Sequence, residues 1–233
     1  MMSQALSIAR KDIKTEFRTK EMINSMVIFS LLIILAFRFA FHFYLEGNST
    51  VTSGPKELLP LVSPILWVTF SFAGMFGLLS SFAKEKDRGS LDGLMLCPMD
   101  RSAIYFGKVI SNFFLILLVD ISSLIFFALF FSFGFNGNII PLFVVILLGT
   151  FSFVIVGTLI SGISVNTRTR EVLLPILLIP IILLTVLMPS IYATSKALEG
   201  KIMDAIPELR MLGAFAVIYI AMAYLLFNYI VEE

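Results

Sequence analysis

The sequence predicts an all-α polytopic membrane protein: six transmembrane helices, an N-terminal interfacial helix and a single transmembrane domain over 1–233. Three observations lead there. The chain is 58% hydrophobic and only 14% charged, whereas a water-facing domain carries about 25% charged residues. Between Asp120 and Arg168 lie 47 residues with no Lys, Arg, Asp or Glu, room for two crossings at roughly 20 residues each. The apolar runs are apolar on every face, where barrel strands would alternate polar with apolar. A soluble enzyme, a nucleic-acid-binding domain and a fibrous chain are excluded at this level.

The elements follow in order. From 3 to 21, Leu6, Ala9, Ile13 and Phe17 recur near helical spacing among basic residues. That is the pattern of a helix lying in the headgroup plane with its cations toward anionic lipid. Apolar runs then cover about 23–45, 58–83, 109–133, 139–163, 172–191 and 211–231. Gly134, Asn136, Gly137 and Asn138 make a tight turn between the third and fourth. Pro175, Pro180 and Pro189 should bend or break the fifth. The segment 192–210 shows helical spacing with a charge on each turn ahead of Pro207, which predicts a short interfacial or re-entrant helix. The chain does not open with a cleaved signal peptide, because its first apolar run follows a polar stretch and has no small-residue cleavage pattern behind it.

Charge bias sets the orientation. With both termini inside, the inner segments hold 12 of the 17 basic residues and the outer side holds 5. The net charge of +1 offers no surface for nucleic acid. A single cysteine, Cys97, cannot form an internal disulfide or a cysteine-based metal site. No phosphate-binding loop, paired-carboxylate, H-E-x-x-H or Ser/His/Asp constellation is present. No catalytic, cofactor-binding or metal residues are therefore expected, and any nucleotide-driven work needs a separate ATPase subunit.

Two places carry functional expectations. The first is the inner loop 84–108. Gly89 turns the chain, Ser90 caps a short helix and Pro98 ends it. Leu91, Leu94 and Met95 form its apolar face, while Glu85, Asp87, Arg88 and Asp92 supply charges that can fix register in a partner's groove. The second is a set of intramembrane polar residues. Asp120 falls near the bilayer midplane, where an acid is costly unless paired, wetted or hydrogen-bonded. Arg38 in the first span and the hydroxyls of Ser122, Ser123 or a neighbouring helix are its available partners. Arg38, His42 and Glu46 form a polar stripe at the outer end of the first span. A lone histidine can ligate haem or relay a proton, but no second ligand lies close in sequence, and the stripe reads as an interfacial anchor. Small residues four apart (Ala73, Gly77 and Ser81; Gly157 and Ser161) mark close helix approach, in a tight bundle or a dimer seam.

Taken together, the chain resembles the membrane subunit of type-2 ABC exporters, and within that class the CcmB family of cytochrome c maturation. The residues that carry this are Pro64-Ile-Leu-Trp67, the loop from Asp87 to Pro98, Lys108 and Leu174-Pro-Ile-Leu-Leu-Ile-Pro180. The resemblance implies a type-2 ABC permease-like fold in the cytoplasmic (inner) membrane. It implies partners: a CcmA-like ATPase docked on the loop helix, CcmC-like and CcmD-like membrane subunits and a CcmE-like haem chaperone; a second copy of the chain is the partner that a dimer seam at the small residues would bring. ATP would bind the ATPase and haem would be cargo of the complex, with no haem platform in this chain. Two other functions compete: a type-2 exporter permease for a lipid, drug or polysaccharide, and an ion-coupled secondary transporter built around Asp120.

Overall fold

A computed structural model describes residues 2–47, 55–87, 101–131, 139–164, 167 and 170–230; at 42–47, 55–59, 82–85, 87, 101, 170–171 and 226–230 it describes the backbone only. The described residues are almost entirely helical: α1 (Met2–Thr19), α2 (Glu21–Gly47), α3 (Pro55–Asp87), α4 (Arg101–Phe131), α5 (Ile139–Ser164), α6 (Arg170–Ile182), α7 (Met188–Leu198) and α8 (Ile206–Ile230). A π turn at Leu183–Leu187 joins α6 to α7, and a 3-10 turn at Ile202–Ala205 leads into α8. Six segments are long and apolar enough to cross a membrane, from Glu21–Phe41 to Ile202–Leu225.

α3 and α5 form the centre. Their spanning windows are 72% and 56% buried, against 22% for α2 and 17% for α8, so the outer helices present their apolar surface to lipid. Glycines let the central helices touch. A Cβ at Gly157 would fall 2.2 Å from Leu78 Cδ1, and one at Gly149 would fall 2.1 Å from Trp67 Cη2. Ser161 Oγ donates to the Leu78 carbonyl at 2.8 Å. The small-residue spacing of Gly157 and Ser161 is therefore spent inside one chain, against α3.

Three expectations are corrected. The fifth span, expected to bend or break at its prolines, is distorted before Pro189 but not broken, and it does not end at 191. Pro175 and Pro180 lie inside α6, and the helix widens to a π turn just before Pro189, with the Met188 N–H reaching back to the Leu183 carbonyl. A wider turn relieves the clash between a proline ring and the carbonyl one turn earlier. The crossing segment then runs on to Leu198.

Nor is 192–210 a separate short helix ahead of Pro207. α7 absorbs its first part, Gly200 turns the chain at φ 80°, and Pro207 sits in the first turn of α8, where its missing N–H has no intrahelical partner to lose. Lys196 Nζ staples this corner, bonding Glu208 Oε1 at 2.7 Å and the Asp204 carbonyl at 2.8 Å.

The inner loop is shorter than 84–108, because α3 continues to Asp87 and α4 starts at Arg101. Arg88, Gly89, Ser90, Leu91, Asp92, Leu94, Met95 and Pro98 lie outside the described residues, as do the side chains of Glu85 and Asp87.

Candidate functional site

At one end of the bundle, α1 packs across the start of α4. A helix turning 100° per residue sorts its side chains into three faces. Ala5, Ile8, Ala9 and Glu16 are buried against the bundle. Met2, Leu6 and Phe17 are exposed apolar residues on the next face. Arg10, Lys14 and Arg18 are exposed on the third. The expected apolar stripe is therefore divided: Leu6 and Phe17 are exposed and Ala9 is buried, and the face that docks lies one step around, made of smaller residues and acids.

Those acids hold the site together. Asp12 Oδ2 lies 2.8 Å from Nζ of Lys108 on α4, a lysine only 3% exposed. The same ammonium donates to the Ser81 carbonyl near the end of α3 at 3.1 Å. One turn farther along α1, Glu16 Oε1 accepts the backbone N–H groups of Met22 at 2.6 Å and Ile23 at 3.2 Å. Those are orphan donors of the first turn of α2, so Glu16 caps α2 from the preceding helix. The corner between them is Lys20, at φ 57°. Gly107 lets α1 and α4 meet, since a Cβ there would fall 2.8 Å from Ile8 Cβ and 2.9 Å from the Ala5 carbonyl. One lysine and two acids thus join α1, α2, α3 and α4 about two helical turns from the two ends of the 88–100 connection.

Deeper in the bundle a second polar set links the central helices. Tyr105 donates to the Ile155 carbonyl at 2.9 Å and Asn112 to Thr158 at 3.1 Å, both between α4 and α5. Asp120 is 1% exposed, and Oδ2 accepts from Thr150 of α5 at 2.7 Å. Of the expected partners, the hydroxyl of a neighbouring helix is the one that binds, and the others do other things. Ser122 and Ser123 bond carbonyls of their own helix, and Arg38 stands 5.9 Å from the ring centroid of Phe131, a cation–π contact. Toward the far end, Trp67 Nε1 donates to Thr194 at 2.7 Å, tying α3 to α7. The side chain of His42 lies outside the described residues. Among the described residues no group of His, Cys, Asp and Glu could hold a metal ion.

The sequence pointed to Asp120, Arg38 and Lys108 and to a neighbouring helix's hydroxyl on Asp120 without singling out Thr150, and it did not point to Asp12 or Glu16. A signal for these two acids was present: they stand four residues apart, on the Ala5-Ile8-Ala9 side of an otherwise basic helix.

A helical bundle whose first helix packs across one end fits many transporters. The family model decides among them: the CcmB protein family matches residues 3–232, nearly the whole chain. The chain belongs to the CcmB family. It is accordingly a multi-pass membrane component of an ABC-type haem exporter complex in cytochrome c maturation, acting with other subunits. Among curated proteins, none matches the chain. Of the residues that carried the resemblance, Trp67 and Lys108 are buried, whereas Pro175 is half-buried and Pro180 exposed on α6.

Proposed function

We propose that this CcmB-family chain is a non-enzymatic coupling subunit. A CcmA-like ATPase binds and hydrolyses ATP and docks on the 88–100 connection. The motion passes through the bundle to release a haem-loaded CcmE-like chaperone from CcmC-like and CcmD-like subunits. Haem is cargo of the complex, and this chain supplies no ligand to it. The protein sits in the inner membrane with both termini in the cytoplasm, as the distribution of its basic residues favours.

The observation that carries this reading is the Lys108 junction. A docking element transmits force only if both its ends are anchored in something rigid. The helix before the connection (through the Ser81 carbonyl) and the helix after it (through Lys108 itself) share one buried ammonium. Asp12 adds α1 to the junction and Glu16 adds α2. Displacement of the connection therefore moves four helix ends as one unit.

The test of docking is co-purification of the ATPase with wild type and with Leu94→Glu, which places a charge on the proposed docking face. Loss of the ATPase with the membrane subunit still folded and inserted is expected. Undiminished recovery of the ATPase would remove this segment as the main docking element.

A further inference from the structure

The mid-membrane acid has a property that coupling does not use. Asp120 lies eleven residues before the end of α4, level with Thr150 on α5. The Thr150 hydroxyl engages Oδ2 at 2.7 Å; Oδ1 is buried and has no hydrogen-bond partner. No cation answers it among the described residues. On α2, Arg38 faces the Phe131 ring, and His42 lies one turn farther toward the end of the span. On α4 itself, Lys108 is twelve residues back, about 18 Å along the helix, and is committed to Asp12 and Ser81. On α8, Glu208 is held by Lys196, Arg210 is exposed and Tyr219 is a phenol packed on the core. The acids of α1 stay at its own end of the bundle, with Asp12 on Lys108 and Glu16 on the backbone of α2. α5, and α3 between Pro60 and Ser81, contain no ionisable side chain.

A carboxylate in that setting would have lost its water and gained one neutral hydroxyl in return. The cost of an unpaired buried charge far exceeds what one such bond restores, and the site is in the part of the bilayer where charge is most expensive. Loss of the charge removes nearly all of that cost. We infer that Asp120 is a proton-binding site at the bilayer midplane, held at neutral pH as the carboxylic acid, with the proton on Oδ1 and the carbonyl at Oδ2 accepting from Thr150. The acid is then a neutral link between α4 and α5.

Infrared spectroscopy of the purified protein in lipid vesicles at pH 7 reads this directly. The other acids seen in the structure are exposed or hold cations or backbone N–H groups, so a protonated carboxyl C=O stretch should come from Asp120. The band should downshift in deuterated water, vanish in Asp120→Asn and move to higher frequency in Thr150→Val, which removes the hydrogen bond to the carbonyl. Asn is close in shape and neutral, so that variant should stay folded; Thr150→Val and a pH titration of the wild-type band give the same answer without it. Identical spectra for wild type and Asp120→Asn, or a band that appears only on acidification, would overturn the inference. The outcome does not depend on ATPase docking.

Discussion

The Asp12 carboxylate on α1 and the Lys108 ammonium on α4 form an ion pair of 2.8 Å, the lysine 3% and the acid 15% exposed. Breaking such a pair from one side leaves the other charge stranded, which costs more than the pair contributes when intact. Lys108→Met should therefore destabilise the protein by up to about 3 kcal/mol. It should also expose α1 to proteolysis, because Asp12 then faces an apolar neighbour. The exchanged pair Asp12→Lys with Lys108→Asp should recover part of the loss. Thermal unfolding in detergent and limited digestion check both outcomes; full stability of the single variant would show that α1 is held by its apolar face alone.

Glu16 gives a second test, because both bonds that cap α2 reach the same oxygen, Oε1. Glu16→Gln keeps the acceptor at Oε1, whereas Glu16→Ala leaves the Met22 and Ile23 N–H groups without it. The alanine variant should lose about 0.5–2 kcal/mol, the usual worth of an N-cap, and the glutamine variant less. Nearby, Lys20 occupies the left-handed region at φ 57°, which costs a side-chain-bearing residue roughly 1–2 kcal/mol. Lys20→Gly should raise the melting temperature. Equal behaviour of Gln and Ala at position 16 would contradict the capping role.

Two glycines make a matched pair. A methyl at Gly149 would meet the Trp67 ring at 2.1 Å and Ser190 Oγ at 2.8 Å, while one at Gly213 meets nothing within 4 Å. Gly149→Ala should cost at least about 1–3 kcal/mol through overpacking and should disturb the Trp67–Thr194 hydrogen bond. Gly213→Ala should be neutral or stabilising by up to about 1 kcal/mol, as alanine favours the helix. Trp67 is the only tryptophan, so its fluorescence reports the first change without a label.

The fold was legible because lipid imposes a simple rule: every backbone group must be bonded internally, so long apolar runs become helices. That reasoning reached the six long apolar helices and the helix that precedes them. It failed where local chemistry has two solutions. Pro189 should bend or break its span, and a π turn accommodates it; the charged stretch ahead of Pro207 suggests a separate short helix, but Pro207 opens α8. At the site, Asp120 stood out by cost alone, whereas its partner Thr150 did not, because hydroxyls are common in membrane helices. Asp12 and Glu16 were hidden by the basic composition around them. Which face of α1 docks depends on the small residues Ala5, Ala9 and Gly107, and a hydrophobic stripe drawn from Leu6, Ile13 and Phe17 points elsewhere.

The most direct test of coupling separates docking from transmission. In a reconstituted complex with its ATPase, haem chaperone and partner membrane subunits, ATP-dependent release of the loaded chaperone is measured for wild type and for Lys108→Met, the latter at a temperature where it remains folded. The account predicts that the ATPase still co-purifies and hydrolyses ATP with the variant while release falls roughly tenfold, the equivalent of about 1.4 kcal/mol of lost coupling. Release at the wild-type rate, with the Asp12–Lys108 pair gone and the ATPase bound, would contradict it.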